Sequence, residues 1–120
     1  MPEKIGISDK LERVVGHFQP KIIGELNGQH LKLVKVLGEF TWHRHEHEDE
    51  MFLVLSGELE MQFRDGSVRL GSGECIVVPR GVEHCPRAER ETAVMLFEPA
   101  GTLNTGDAGG TRTVRNPEWI

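Results

Sequence analysis

Residues 41–57, TWHRHEHEDEMFLVLSG, join a charged run to an apolar strand, and they are the most informative part of the chain. The run holds three of the six histidines, His43, His45 and His47, at alternate positions. Alternate side chains of an extended chain project from one face, so two of these imidazoles can reach a single ion. Glu50 begins the apolar strand and can add a carboxylate ligand. This stretch alone is compatible with a metal site or with a solvated, charged turn.

The chain on either side consists of short apolar segments. The segments 21–26 (KIIGEL) and 30–37 (HLKLVKVL) flank Asn27-Gly28, which predicts a type I′ hairpin turn. After Phe40, strand-like segments recur between glycines and prolines: EMFLVLSG, ELEMQFR, SVRL, ECIVVP and TAVMLFEP. ELEMQFR alternates apolar and polar residues, which predicts one buried face, whereas EMFLVLS is apolar on both faces, which predicts a central strand. Short, regularly spaced strands favour an all-β sandwich or barrel over a parallel α/β sheet.

The two ends of the chain have a different character. Ser8 is a candidate N-cap for a short helix that carries Leu11, Val14, Val15 and Phe18 at helical spacing. The last segment is rich in Gly, Thr and Asn with little periodicity, and we expect it to lie extended over the domain or to be partly disordered. These features predict three parts: 1–20, a helical or extended N-terminal segment; 21–100, a β-barrel domain; and 101–120, an extended tail.

Composition excludes several classes of protein. The chain has 120 residues, enough for one domain. Its 14 Lys and Arg against 19 Asp and Glu argue against nucleic acid as a partner. We expect no membrane partner and a cytoplasmic location, because the sequence has no long apolar run and no signal-peptide pattern. The two cysteines, Cys75 and Cys85, are expected to be free thiols that pack in the interior.

Two groups of histidine, glutamate, glycine and proline residues have spacings that match known motifs. The first reads His43-x-His45, four residues, Glu50, six residues, Gly57; the second reads Gly73, five residues, Pro79-x-Gly81, two residues, His84. They resemble the two conserved motifs of the cupin superfamily, G(x)5HxH(x)3–4E(x)6G and G(x)5PxG(x)2H(x)3N. The match departs from the motifs at its ends: four residues separate Gly38 from His43 where the family has five, and Ala88 stands where the second motif ends in Asn.

The resemblance implies a small double-stranded β-helix (jelly-roll) barrel with a short N-terminal helix. It also implies four metal ligands, His43, His45, Glu50 and His84. Such a ligand set permits a divalent Zn, Fe, Mn, Ni, Cu or Co ion. His47 is an alternative metal ligand, but pairing it with His45 breaks the family spacing. We therefore assign it to the rim of the site, unless an unusual turn lets it replace His43 as a ligand. Glu48 is a weaker alternative for the carboxylate. His17 and His30 have no supporting context and are interpreted as structural or surface residues.

Cupins include isomerases, epimerases, dioxygenases and ligand-sensing domains, so the resemblance does not specify a reaction. We expect a metalloenzyme of the isomerase/epimerase-like or oxygenase type that acts on a small molecule. The alternative is a non-catalytic binding or sensing domain with a structural metal. The candidates for moving protons or positioning the substrate are His47, Glu60 and Gln62. Support for a phosphate site is weak, because only Arg44, Arg80 and Arg87 lie near the motifs, and Arg44 is expected to face away from the histidines.

Two further expectations concern packing. The side chains that could line an apolar cavity are Phe52, Met61, Met95 and Phe97, although barrel core is favoured for most of them. Cupins frequently pair as dimers, and segments 21–26 and 30–37 are the obvious edge strands, so we expect a homodimer. The tail could cross to the partner.

Overall fold

Strands dominate the structure, a computed structural model that describes all 120 residues. The elements in chain order are α1 (Ile7–Leu11), β1 (Lys21–Leu26), β2 (Gln29–Glu39), β3 (Glu50–Ser56), β4 (Glu58–Phe63), β5 (Gly66–Gly71), β6 (Cys75–Val78) and β7 (His84–Pro99). Every pair of strands is antiparallel. The predicted all-β fold with a short N-terminal helix is confirmed. The one helix, α1, has 5 residues and is too short to span a membrane.

The barrel is organised around the 16-residue strand β7. The hydrogen-bonded order is β1-β2-β7-β3-β6, and β4 joins β7 to β5. The first part of β7, from His84 to Arg87, pairs with β4, whereas the part from Ala93 to Phe97 pairs with β3. One strand therefore serves both halves of the barrel. His84 lies at its very start, beside the loop that precedes β3.

Alternation along the strands separates the interior from the outer face. One core cluster of 11 buried residues fills the barrel: Val34, Val36, Phe52, Val54, Leu59, Met61, Leu70, Val78, Ala88, Val94 and Leu96. Burying a side chain of this size contributes about 1.5–3 kcal/mol of transfer free energy. A smaller cluster of Val14, Ile23 and Leu33 lies on the outer face, where Leu11 of α1 packs against it.

Three local predictions are confirmed. Asn27 and Gly28 have φ values of 50° and 77°, and Leu26 pairs with Gln29 across them, as a type I′ hairpin requires. Strand β3 is central, because it pairs with β6 on one side and β7 on the other. Leu59 and Met61 of β4 are fully buried.

The N-terminal helix differs from its prediction. It begins after Gly6 and has no side-chain cap, so Ser8 is not its N-cap. It ends at Leu11, before Val14 and Phe18. Val14 is buried, but Val15 is 75% exposed. The helix stops because the chain must turn back to the barrel, where the Phe18 N–H donates to the Lys35 carbonyl oxygen.

The edges of the sheet also differ from expectation. Strand β2 is not an edge strand, because it lies between β1 and β7. Strand β1 is an edge, but the tail of the same chain covers part of it: the Ile22 N–H donates to the Glu118 carbonyl, and the Ile120 N–H donates to the Ile22 carbonyl. The tail thus lies against its own barrel. The homodimer stays a prediction.

Candidate metal centre

The four residues of the two sequence motifs come together at one end of the barrel. His43 and His84 form an isolated antiparallel bridge, with backbone N···O distances of 3.0 and 2.8 Å. His45 follows on the same loop, and Glu50 is the first residue of β3. All four are buried, and their potential ligand atoms lie within 4.8 Å of one another. The cluster could therefore hold a metal ion.

Backbone carbonyls set the orientation of two imidazoles. Nδ1 of His43 lies 2.7 Å from the Thr41 oxygen, and Nδ1 of His84 lies 2.9 Å from the Val82 oxygen. A carbonyl oxygen can only accept, so Nδ1 carries the proton in both rings. In a neutral ring the Nε2 lone pair is then free for a metal.

Buried polar atoms without partners face one another in the cluster. Nε2 of His45 and Nε2 of His84 lie 3.1 and 3.5 Å from Oε1 of Glu50, yet none of these three atoms has a hydrogen-bond partner. Leaving such atoms unsatisfied costs about 1–3 kcal/mol each. A divalent cation satisfies all of them at once, and a set of three imidazoles and one carboxylate suits the transition metals named above. The residues present therefore fit a metal.

Electrostatics favour the protonation states that a metal needs at His43 and Glu50. Burial lowers the pKa of His43 to about 4, and the neighbouring His84 acts in the same direction. Burial alone would raise the pKa of Glu50, but polar contacts with Glu98, His45 and His84 hold it well below its usual range. At neutral pH the site offers a neutral imidazole at His43 and a carboxylate at Glu50.

A buried ion pair, Lys32 with Glu98, lies next to Glu50. The sequence did not predict it. Nζ of Lys32 lies 2.8 Å from Oε1 of Glu98, and the two side chains are only 3% and 1% exposed. Burial raises the pKa of Glu98 well above its usual value; the adjacent Glu50 adds to this shift, and Lys32 opposes it. Lys32 has the same parity along β2 as Val34 and Val36, so alternation does place it inside the barrel. The pairing of β2 with β7, which brings Lys32 to Glu98, could not be predicted from the sequence.

The other charged residues of the histidine loop lie outside the cluster. His47 is exposed and does not join the cluster. Glu48 is not in the cluster either, although its Oε1 lies 4.0 Å from Nδ1 of His45. Arg44 faces away from the histidines, as predicted, and pairs with Glu46 at 2.6 Å. His17 and His30 are far from the cluster and contact surface glutamates.

An apolar pocket with a cavity volume of about 40 Å³ reaches the cluster from the barrel interior. Its polar lining consists of His43, Glu50 and Asn104 of the tail. The rest is apolar: Phe18, Pro20, Val34, Val36, Phe40, Phe52, Leu59, Pro86, Val94 and Leu96. The rings of Phe18 and Phe40 stack with centroids 4.8 Å apart. The lining is thus apolar along the pocket and polar where it meets the cluster.

Several predicted pocket residues lie elsewhere. Of the four cavity candidates, only Phe52 lines the pocket, whereas Met61 is barrel core. Met95 and Phe97 alternate with the inward-facing residues of β7, so they point to the outer face. The pairing of β7 with β2 and β3 decides which of its alternate positions face inward.

The predicted proton-transfer candidates also lie outside the pocket. Glu60 contacts Ser67 and Arg87 on the outer face, and Gln62 donates to Glu39 and to the Cys85 carbonyl. Neither Glu60 nor Gln62 lines the pocket, and the role of His47 stays a prediction.

The arginines near the motifs are engaged by carboxylates. Arg80 contacts Asp49 at 3.2 Å, and Arg87 contacts Glu60 at 3.3 Å. Neither lines the pocket, and no lysine does. The pocket therefore lacks the basic side chains that a phosphate group requires.

Both cysteines are free, but only one packs as expected. Cys85 is buried, and burial raises the pKa of its thiol to about 11, so it stays protonated and unreactive. Cys75 is exposed on β6, so its prediction as a packing residue was wrong.

Known proteins share the fold of this chain. The Cupin_2 family model, which describes a cupin domain, matches residues 32–98. A cupin-2 domain protein from Shewanella frigidimarina is 45% identical and superposes with a TM-score of 0.78, covering 79% of this chain and 93% of that one. Protein NMB1881 from Neisseria meningitidis is 34% identical, with a TM-score of 0.75, 82% of this chain covered and 100% of that chain. YdbB from Bacillus subtilis is 29% identical over 99 residues, which are 82% of this chain and 85% of YdbB.

Proposed function

This chain belongs to the cupin family, and from that basis we propose that it is a metal-dependent enzyme that acts on a small, largely apolar molecule. The proposed ligands of the divalent ion are His43, His45, Glu50 and His84. The observation that carries the proposal is the convergence of partnerless, buried Nε2 and Oε1 atoms at the end of an apolar pocket. Metal identity stays open among Zn, Fe, Mn, Ni, Cu and Co.

The pocket lining favours one reaction class over another. A sugar or sugar phosphate presents many hydroxyls and a charge, and its pocket must offer hydrogen-bond partners along the whole ligand. Here the polar lining is confined to His43, Glu50 and Asn104, and the Asn104 amide is already bonded to the backbone of Arg112 and Val114. Between the isomerase-like and oxygenase-like alternatives, this arrangement favours an oxygenase acting on an aromatic or aliphatic substrate with one polar group.

The residues of the site have separate tasks. When bound, the metal supplies Lewis-acid polarisation of an oxygen atom or, if it is redox-active, access to O2 chemistry. His43 and Glu50 border the pocket and so direct a substrate's polar end to the cluster. Phe18 and Phe40 form an aromatic wall that orients the apolar part and excludes water. The Lys32–Glu98 pair packs behind Glu50 and restrains its carboxylate.

Metal content is the first test. Protein purified without chelator is analysed for transition metals, and the apo form is titrated with Zn²⁺, Mn²⁺, Fe²⁺, Ni²⁺, Cu²⁺ and Co²⁺ while thermal stability is followed. We expect wild type to bind one ion per chain and His45→Ala to lose binding. His47→Ala is the matched control, because His47 lies on the same loop but is exposed, and it should bind like wild type. Absence of binding by wild type would refute the metal site.

Ligand chemistry is the second test. The metal-loaded protein is screened against phenols, aromatic acids and medium-chain fatty acids on one side and sugars and sugar phosphates on the other, with and without O2. Binding and turnover confined to the apolar compounds support the proposal. Turnover of a sugar phosphate would overturn the proposed substrate class and restore the isomerase alternative.

A second candidate function is a non-catalytic small-molecule-binding domain with a structural metal. It is favoured by one observation: four protein ligands can saturate a tetrahedral ion, as structural sites do. The visible spectrum of the Co²⁺ form separates the two candidates. An open position predicts that added azide changes the spectrum, whereas a closed structural site predicts no change.

A further inference from the structure

His45 differs from the other two cluster histidines in its outer nitrogen. Nδ1 of His43 and Nδ1 of His84 each contact a backbone carbonyl two residues earlier. The corresponding carbonyl for His45 belongs to His43, and it accepts the His84 N–H at 2.8 Å in the bridge between the two strands. Nδ1 of His45 has no hydrogen-bond partner, although the side chain is only 2% exposed. Nothing in the backbone therefore sets the tautomer of this ring.

A cleft lined mainly by polar residues lies beside His45. Its cavity volume is about 290 Å³, and it runs between the histidine loop and the C-terminal tail. His45 lines this cleft, whereas His43 and Glu50 line the apolar pocket. The cluster is thus bordered by an apolar pocket on one side and a polar cleft on the other.

The carboxylates of the cleft are not equivalent. Glu46 lies 2.6 Å from the Arg44 guanidinium, and Asp107 accepts the Arg44 backbone N–H at 2.9 Å. Glu48 has no arginine or lysine within ion-pair distance, and its Oε1 lies 4.0 Å from Nδ1 of His45. The Glu48 side chain is 29% exposed, so it borders both the protein interior and the cleft.

We propose that Glu48 is the positioning residue of His45, accepting its Nδ1–H. This inference rests on the proposed metal centre. A carboxylate on Nδ1 holds the proton there, which leaves the Nε2 lone pair directed at the cluster and increases its basicity. Torsional rotation of the Glu48 side chain can close the gap to hydrogen-bond distance. Glu48 therefore acts through His45 and is not itself a ligand.

The test compares Glu48→Ala, Glu48→Gln and Glu46→Ala. Glu46→Ala removes a carboxylate from the same loop without touching His45, so it is the matched control. Competition titration of the apo proteins with Zn²⁺ and Co²⁺ should show affinity about 10–100-fold lower for Glu48→Ala, which is the usual effect of losing such a partner. Glu48→Gln keeps an acceptor oxygen and should recover part of the loss, while Glu46→Ala should match wild type. Affinity of Glu48→Ala within two-fold of wild type would overturn the inference.

A second readout does not need the metal. Long-range ¹H–¹⁵N spectra of the histidine rings report which nitrogen carries the proton. In apo wild type and Glu46→Ala, Glu48 should hold part of the His45 population as the Nδ1–H tautomer, in competition with Glu50, whose Oε1 lies 3.1 Å from Nε2. In Glu48→Ala the ring should shift to the Nε2–H tautomer. An unchanged tautomer in Glu48→Ala would refute the role of Glu48. Failure of wild type to bind any metal would instead refute the metal centre, and the tautomer result would still decide the role of Glu48.

Discussion

Lys32 provides the sharpest test of how the barrel interior is held together. Its Nζ lies 2.8 Å from Oε1 of Glu98, and it is the cation paired with that buried carboxyl. Lys32→Met removes the ammonium but keeps most of the side chain's length and apolar volume. The Glu98 carboxyl is then left inside the barrel beside Glu50 with no compensating positive charge.

The expected cost follows from this burial. Removing one partner of a buried ion pair costs about 3–5 kcal/mol, because the other charge stays desolvated. For a chain of this length, that loss lowers the melting temperature by about 12–20 °C. The raised pKa of Glu98 adds a pH dependence. Lys32 holds this pKa down, so its loss raises the pKa further, and stability falls as pH rises from about 4.5 through the folded-state value. The deficit of Lys32→Met should thus be larger at pH 8 than at pH 5.

Urea and thermal denaturation in the presence of chelator, followed by circular dichroism at both pH values, measure these effects. Lys35→Met is the matched control, because Lys35 lies on the same strand but is only partly buried, and it should differ from wild type by about 0.5 kcal/mol or less. Lys32→Met/Glu98→Gln removes both charges and should be more stable than Lys32→Met alone. A Lys32→Met variant within 1 kcal/mol of wild type at pH 8, or a double variant no better than the single one, would refute this reasoning.

Three more outcomes are expected. The pKa of His43 is lowered from 6.5 to about 4, so between these pH values the unfolded chain binds a proton that the folded chain does not. The unfolding free energy of the apo protein should therefore fall by about 3 kcal/mol as pH drops across that interval. Urea denaturation at several pH values should show a weaker pH dependence of this free energy for His43→Gln. Zn²⁺ or another bound ion at about 100 times its Kd should stabilise wild type by about 2.7 kcal/mol, measured by differential scanning fluorimetry, and His84→Ala should lose this gain. Gly106→Ala places a methyl group against the Arg44 carbonyl at a positive φ, so it should lower both stability and the metal affinity measured by calorimetric titration. Gly101→Ala is also at positive φ, but its methyl group meets open space, so it should lower stability alone.

The local structure of this chain could largely be predicted because it depends on neighbouring residues. The Asn27-Gly28 turn needs two residues that tolerate positive φ, and no distant contact is required to specify it. Alternation in β4 placed Leu59 and Met61 inside for the same reason. The N-terminal helix was less predictable, because its end depends on where Phe18 must meet β2, which is a tertiary requirement.

The sequence by itself determined the all-β class, since side-chain alternation and turn residues are properties of the linear chain. Its resemblance to the cupin motifs implied the four candidate metal-binding residues. Only the tertiary structure decided that Lys32 and Glu98 form a buried pair behind Glu50, that Met95 and Phe97 face outward, and that Glu48 lies beside His45. Each of these depends on strand register or loop conformation. A one-residue change of register exchanges the inner and outer faces of a strand, and no local pattern specifies which distant side chains then meet.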